Sequence, residues 1–132
     1  MKALRYLWAT PWTLVASLAL LVYWPKKVRW SEGALECQVV RLLPEWAGAQ
    51  ALGWIICYGP RWGWGSTMTR RHERVHVKQG LNWGPLFPLR YFGECALRKW
   101  QGKDPYWENS MEMEARRGEY ETDKPRPRLP PP

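Results

Sequence analysis

The amino-terminal part of the chain is a long apolar segment. Residues 7–24 (LWATPWTLVASLALLVYW) carry no charge, and basic residues flank them on both sides. Because a bilayer core takes about 20 apolar residues, the segment predicts a membrane-anchor helix within residues 1–25 and membrane lipid as a partner. One alternative is a buried or interfacial helix. Another is a signal peptide, but the run ends in Val-Tyr-Trp-Pro instead of a small-x-small cleavage site.

Short alternating patterns follow this segment and predict a small β region. Residues 28–30 and 35–39 alternate apolar and polar side chains around a Ser-Glu-Gly-Ala turn, which is typical of a hairpin. The apolar run at residues 51–58 is closed by Gly-Pro and predicts a third strand. We therefore expect three strands in this part of the chain.

The spacing of apolar positions becomes helical after Ser66. Residues 67–79 predict one helix, which Gly80 is placed to end. Prolines 85 and 88 open a second helix that reaches about Trp100, with an apolar face for a core or a membrane surface. Asn109 is a good N-cap for a last helix ending near Glu121. The predicted class is α+β: an anchor helix, a three-stranded β region and three further helices.

Composition and charge place limits on these elements. The 132 residues favour one folded domain, at 26–121, after the anchor at 1–25 and before a proline-rich disordered tail at 122–132. The net charge of +8 is scattered and no nucleic-acid-binding motif accompanies it, so no nucleic-acid partner is expected. The basic residues, including Arg29 and Arg70, are interpreted as solvated or membrane-facing. Three cysteines without a C-x-x-C pair indicate reduced, buried thiols.

The helix predicted at 67–79 contains the only two histidines of the chain, in the sequence His72-Glu73-Arg74-Val75-His76. Positions i and i+4 share a helical face, so both imidazoles can reach one Zn²⁺ ion. Glu73 lies beside that ion without binding it and can accept a proton from zinc-bound water, which makes it the candidate catalytic base. The alternative is an amphipathic helix with two half-buried histidines and no metal.

A catalytic zinc takes three protein ligands, and with no third histidine the remaining ligand must be a carboxylate. Glu112 shares a helical face with the small Ala115, which would let the last helix approach the histidines, whereas Glu114 points about 200° away. We therefore predict Glu112 as the third ligand. Its alternative role is a capping box with Asn109. The same helix offers two further carboxylates, Glu119 and Glu121.

Around these residues the chain resembles a family of small bacterial membrane-associated proteins that carry HERVHVRQ, WGPLF and a later N-P-F-E-x-E-A stretch. The corresponding segments here are 72–87 (HERVHVKQGLNWGPLF), Tyr91, 102–106 and 109–115 (NSMEMEA). More broadly, H-E-x-x-H followed by E-x-x-A is similar to gluzincin-type metallopeptidases. The resemblance extends from the apolar segment to about Arg117 and is most specific in the motif region.

The resemblance implies a zincin-like domain in a bacterial inner membrane. It implies zinc as the cofactor, Glu73 as the base, and three ligands: His72, His76 and Glu112. The chain departs from the family at Ser110 and Met111, where the family has Pro and Phe. It also has Arg116 where many E-x-x-A-D enzymes have an aspartate, which removes the carboxylate expected to support a zinc ligand.

The sequence therefore favours a membrane-associated zinc-dependent hydrolase, specifically a metallopeptidase acting on a peptide or protein substrate. The strand at 51–58 would flank the histidine helix and could align an extended peptide by strand addition. The alternative is a structural or interaction protein that binds zinc without turnover, which the small size of the chain favours. Basic residues after the apolar segment favour the cytoplasmic side for the folded domain.

Overall fold

The computed structural model describes residues 2–120, and this part of the chain is α+β, as the sequence predicts. The predicted tail at 122–132 and Glu121, near the predicted end of the last helix, lie outside the described residues. The elements in chain order are α1 (Lys2–Tyr23), β1 (Pro25–Ser31), β2 (Ala34–Val39), β3 (Ala49–Leu52), β4 (Ile55–Tyr58), α2 (Thr67–Trp83), a 3₁₀ turn (Gly84–Leu86), α3 (Phe87–Trp100) and α4 (Ser110–Glu119).

The described strands form one four-stranded sheet in the order β1-β2-β4-β3, so the expectation of three strands is wrong. The run at 51–58 is two antiparallel strands, β3 and β4, joined by a tight turn. Gly53 makes this turn with a φ of 64°, where a Cβ atom would also collide with Thr13 of α1. The turn reverses the chain, so that β4 pairs in parallel with β2 and β3 lies at the sheet edge.

The sheet lies between two helices. All four residues of the central strand β4 are buried, and they alternate between two clusters of apolar residues. Ile55 and Cys57 belong to the cluster that includes Tyr23 and Ala19 of α1, whereas Ile56 and Tyr58 belong to the cluster around Val77 of α2. Burial on both faces explains why this segment is continuously apolar in sequence.

Helix α2 continues beyond the predicted stop at Gly80. A Cβ atom on Gly80 would lie 3.4 Å from the carbonyl oxygen of Gly53, so this glycine serves the close approach of α2 to the β3–β4 turn. The helix ends at Trp83, before Gly84 adopts a φ of 53°. Its other side packs extensively against α4, where Gly118 lies directly beside Val75.

Helix α1 is long and apolar enough to cross a membrane by length and composition alone, a property that signal sequences and core helices share. One face of α1 packs on the rest of the chain along the whole helix, through Ala9, Thr13, Ala16 and Tyr23. The Tyr6 hydroxyl donates to the Gly33 carbonyl oxygen at 2.6 Å. At the other end, Tyr23 hydrogen-bonds the Gln50 side chain at 2.8 Å. An anchor domain ending at residue 25 stays a prediction.

Three arginines meet one buried carboxylate on the α2 side of the sheet. Glu36 of β2 has no exposed surface and lies 2.6 Å from Arg29, 2.8 Å from Arg74 and 3.6 Å from Arg70. The interpretation of Arg29 and Arg70 as solvated or membrane-facing charge is therefore wrong. Because two of the arginines come from α2, these ion pairs hold α2 against β2.

Replacing Glu36 with glutamine should lower the free energy of unfolding by about 3–5 kcal/mol, because three partly buried arginines lose their fully buried counter-charge. Urea denaturation followed by circular dichroism measures the change. The matched control is Glu32→Gln, since Glu32 contacts Arg70 and Arg74 with a side chain that is 67% exposed. The control should cost less than about 1 kcal/mol. Equal losses in the two variants would show that burial does not strengthen these ion pairs.

Candidate metal centre

The site begins with α2, whose first turn is capped by Ser66. The Ser66 hydroxyl accepts a hydrogen bond from the Thr69 amide at 3.1 Å, which starts the helix in the register the motif requires. One turn later His72 and His76 both lie on the side that packs against α4 and are buried. The opposite side carries Arg70 and Arg74 towards Glu36.

Helix α4 brings Glu112 to the two histidines. The Nε2 atoms of His72 and His76 are 3.2 Å apart. Glu112 Oε2 lies 3.3 Å from His72 Nε2, and Glu112 Oε1 lies 3.4 Å from His76 Nε2. The three ligand atoms of this group are within 4.8 Å of one another, so the group could bind a metal ion. The structure therefore brings together the three residues predicted as ligands.

The spacing of these atoms is compatible with a small metal ion. Ligands bonded at about 2.0–2.2 Å to a tetrahedral centre lie about 3.3–3.6 Å from one another, close to the 3.2 Å between the two Nε2 atoms. Each histidine contacts a different oxygen of Glu112, and with one ligand atom from each residue the three atoms lie within 4.8 Å of one another. Glu112 Oε2 is also buried and accepts no hydrogen bond from the described residues. A buried carboxylate oxygen without a donor is costly, and a metal ion would satisfy it.

The other ring nitrogen of His72 is held by Glu119, seven residues after Glu112 on α4. Glu119 Oε1 lies 2.8 Å from His72 Nδ1, and an ionised carboxylate can only accept, so Nδ1 carries the proton. The Nε2 lone pair then faces Glu112. This is the arrangement that metal-binding histidines usually have, with the distal nitrogen fixed by a carboxylate or carbonyl oxygen.

His76 is oriented in the same way by Gln79. The Gln79 amide nitrogen donates to the Met111 carbonyl oxygen at 3.1 Å and to Glu114 Oε2 at 2.7 Å. Its amide oxygen must therefore be the atom 2.9 Å from His76 Nδ1, which donates to it. Glu114 does not reach the histidines, as predicted, but it does not point away from the site either, because it contacts Gln79.

Glu112 does not form the capping box that was its alternative role. The side chain of Asn109 caps α4 by accepting from the Met111 amide at 2.9 Å, and Glu112 Oε1 accepts from the Tyr91 hydroxyl at 2.6 Å. Burial alone would raise the pKa of Glu112, but the adjacent imidazoles of His72 and His76 and the hydrogen bond from Tyr91 hold it well below its usual value. The carboxylate is therefore ionised at neutral pH.

Glu73 is buried beside the three residues and is not one of them. Burial raises its pKa, and the neighbouring imidazoles oppose this shift only in part. Burial also lowers the pKa of His76, but hydrogen bonding with Glu112 and the charge of Glu73 outweigh this and raise it to about 8. The metal-free site thus holds a proton on His76 that a metal ion would displace.

Three residues of the site were missed or not assigned a role from the sequence: Gln79, Tyr91 and Glu119. Gln79 follows His76 by three positions and Glu119 follows Glu112 by seven, so helical spacing could have indicated both. Nothing in the sequence indicates the Tyr91 contact. Glu119 supplies the carboxylate that Arg116 lacks, and the Arg116 guanidinium stacks over the Trp107 ring at 4.7 Å.

Protein-family models, curated proteins and solved structures were all compared with this chain, and none of them matches it.

Proposed function

We propose that the protein is a membrane-associated zinc-dependent hydrolase of the gluzincin kind, most simply a metallopeptidase. The buried group of two histidines and one glutamate, whose ligand atoms lie within 4.8 Å of one another, is the observation that carries the proposal. Two nitrogens and one carboxylate oxygen are a donor set typical of catalytic zinc, which leaves a fourth position open. In this proposal His72, His76 and Glu112 hold the ion.

Glu73 is the proposed base. A zinc ion held by these ligands would lower the pKa of a water molecule to about 7. The role of the Glu73 carboxylate would be to accept that proton and to donate it to the leaving amine. A carboxylate buried in this way, with its pKa raised towards the working pH, is a stronger base than an exposed one.

The position of β3 at the edge of the sheet supports a peptide substrate. Strand β3 is at the edge, and it packs against α2 next to Glu73. An extended peptide could pair with the free side of β3 and so place a scissile bond near the base. The single strand predicted at 51–58 is instead two strands, and the proposed pairing with a peptide uses β3, at residues 49–52.

The second candidate function is zinc binding without turnover. It is favoured by the deep burial of the ligand group and by the Tyr91 hydroxyl, which lies against Glu112. Structural zinc sites are closed in this way, whereas catalytic ones keep a position for water. The two functions share the same three ligands. They differ in whether Glu73 acts as a general base.

Removal and return of zinc tests the proposal. The purified protein should contain about one zinc per chain. A chelator should remove the metal, lower the melting temperature and abolish cleavage of fluorescently labelled casein, and added Zn²⁺ should restore all three properties. His72→Ala is the matched variant, because it should fold around the Glu36 cluster but bind no zinc.

The outcomes separate the two candidates. Stability restored by zinc without casein cleavage would favour the non-catalytic function. Less than stoichiometric zinc in the parent protein, under conditions where it is folded, would contradict both.

A further inference from the structure

The outward face of α1 is apolar along almost its whole length. From Leu7 to Val22 every exposed position is apolar, at intervals of three or four residues, and the face includes Leu7, Leu14, Leu18 and Leu21. The hydroxyl groups of this helix, on Thr10, Thr13 and Ser17, donate to carbonyl oxygens four residues earlier, so they need no water. We call this surface the outer face of α1.

The contacts of the inward face of α1 oppose an orientation in which the helix crosses a bilayer. It is joined to the domain near both ends, by Tyr6 to Gly33 and by Tyr23 to Gln50, with Ala9 and Thr13 buried between them. A crossing helix would carry the β1–β2 turn into the hydrocarbon together with the charged Glu32 beside Gly33. Placing a charged side chain at that depth costs several kcal/mol of free energy, roughly 3 or more.

Helix α3 has a second exposed apolar face. Leu89 is 72% exposed, Phe92 is 62% exposed and Trp100 is 84% exposed, and their spacing places them on one side of the helix. Arg90 and Lys99 border this side, where long basic side chains can reach a phosphate layer. We call this surface the outer face of α3.

The inward side of α3 is bound to the candidate metal centre. Tyr91 donates to Glu112, and Glu94 accepts from the Ser110 hydroxyl at 2.5 Å. The apolar side of α3 therefore cannot turn inwards without breaking these contacts. Its exposure is a fixed property of the fold.

The two outer faces meet at the 3₁₀ turn. Trp8 of α1 donates to the Asn82 carbonyl oxygen at 3.3 Å, and its indole lies against Gly84. Trp83 and Leu86 are exposed beside this contact and continue the apolar surface from α1 towards Leu89. Exposed apolar residues therefore lie on both helices and on the turn that connects them in space.

We propose that the outer faces of α1 and α3 together bind the surface of an anionic lipid bilayer, with both helices lying in the plane of the interface and neither crossing it. The proposal rests on the membrane association stated above and makes the protein monotopic. Helices of this kind bury an apolar face at the boundary between headgroups and acyl chains, with basic residues at its border. The net charge of +8 attracts anionic lipid and opposes a second copy of the chain as the occupant.

The orientation also defines a class of substrate for the proposed hydrolase. Because Tyr91 and Glu112 lie on the inward side of α3, the candidate metal centre is about one helix diameter, roughly 10 Å, from the lipid. A polypeptide segment held close to a membrane surface is then a better substrate than a freely soluble peptide.

Site-directed spin labelling of the full chain in phosphatidylcholine/phosphatidylglycerol vesicles tests the orientation. Labels are placed at Leu7, Leu14, Leu21 and Phe92, one at a time, with Arg117 on the exposed side of α4 as the control. The background is Cys95→Ser, since the other two cysteines are buried. Contact with oxygen, which concentrates in lipid, is compared with contact with a water-soluble nickel chelate to give the depth of each label.

An in-plane α1 places Leu7, Leu14 and Leu21 at the same shallow depth, places Phe92 in lipid and leaves Arg117 in water. A crossing α1 would instead put Leu14 about 10 Å deeper than Leu7, since seven helical residues rise by about 1.5 Å each, and that result overturns the proposal. Spin–spin broadening at Phe92 would show that a second copy covers the face, which overturns it as well.

Zinc content is measured on the same labelled samples, so the two proposals fail separately. Normal zinc with water-exposed labels contradicts the lipid surface alone. Labels in lipid without zinc contradict the metal centre alone. If the Phe92→Cys variant loses the zinc, the label on α3 is placed at Leu89 instead.

Discussion

Glu73→Gln is expected to bind zinc as the parent does and to lose hydrolysis of labelled casein by about 10²–10⁴-fold. Glu73 is not among the three converging ligands, so the ion should stay. Glutamine is close in size and fits the same buried position, but it cannot accept and return a proton. Metal analysis of the purified variant and initial rates of casein cleavage measure the two effects.

Glu108→Gln is the control for this variant, because Glu108 is exposed and bonds only to the Asp104 backbone among the described residues. It should keep both zinc and the full rate. Loss of zinc in Glu73→Gln would make Glu73 part of the metal centre. An unchanged rate of casein cleavage would exclude Glu73 as the base.

Glu112→Gln should weaken zinc binding by more than about 100-fold, because it removes the charge that balances the ion and one of three ligands. The helix itself should persist, since Asn109 and not Glu112 caps it. Zinc titration by calorimetry measures the affinity of the metal-free variant. Circular dichroism at neutral pH checks that α4 is retained.

Glu114→Gln is the matched control on the same helix. Its carboxylate accepts from Gln79 at 2.7 Å, and a glutamine oxygen can accept the same bond, so zinc affinity should change less than about threefold. If Glu114→Gln lost the metal and Glu112→Gln kept it, the assignment of Glu112 as the third ligand would be wrong.

The two residues also show how far sequence reasoning reaches within a helix. Periodicity alone places His72 and His76 on one face of α2 and groups Glu112 with Ala115 on α4. Both inferences agree with the group of His72, His76 and Glu112 that the structure brings together. They succeed because side-chain direction within a helix follows from the geometry of the backbone.

The sequence by itself determined the class of fold, the helix that carries the two histidines, and the N-cap at Asn109. These are local properties of turns, caps and spacing. It did not determine that residues 51–58 form two strands, because that depends on Gly53 fitting against Thr13 of α1. A short apolar run is compatible with one strand or with two strands, and the segments packed against it decide between them.

Only the tertiary structure decided which distant groups meet. Glu119 provides the carboxylate beside His72 that Arg116 cannot provide. Glu36 forms ion pairs with arginines of both β1 and α2. The inward face of α1 is likewise recognisable only once it is packed. Contacts between elements far apart in sequence depend on how their faces dock in three dimensions, and the spacing within each element does not specify that docking.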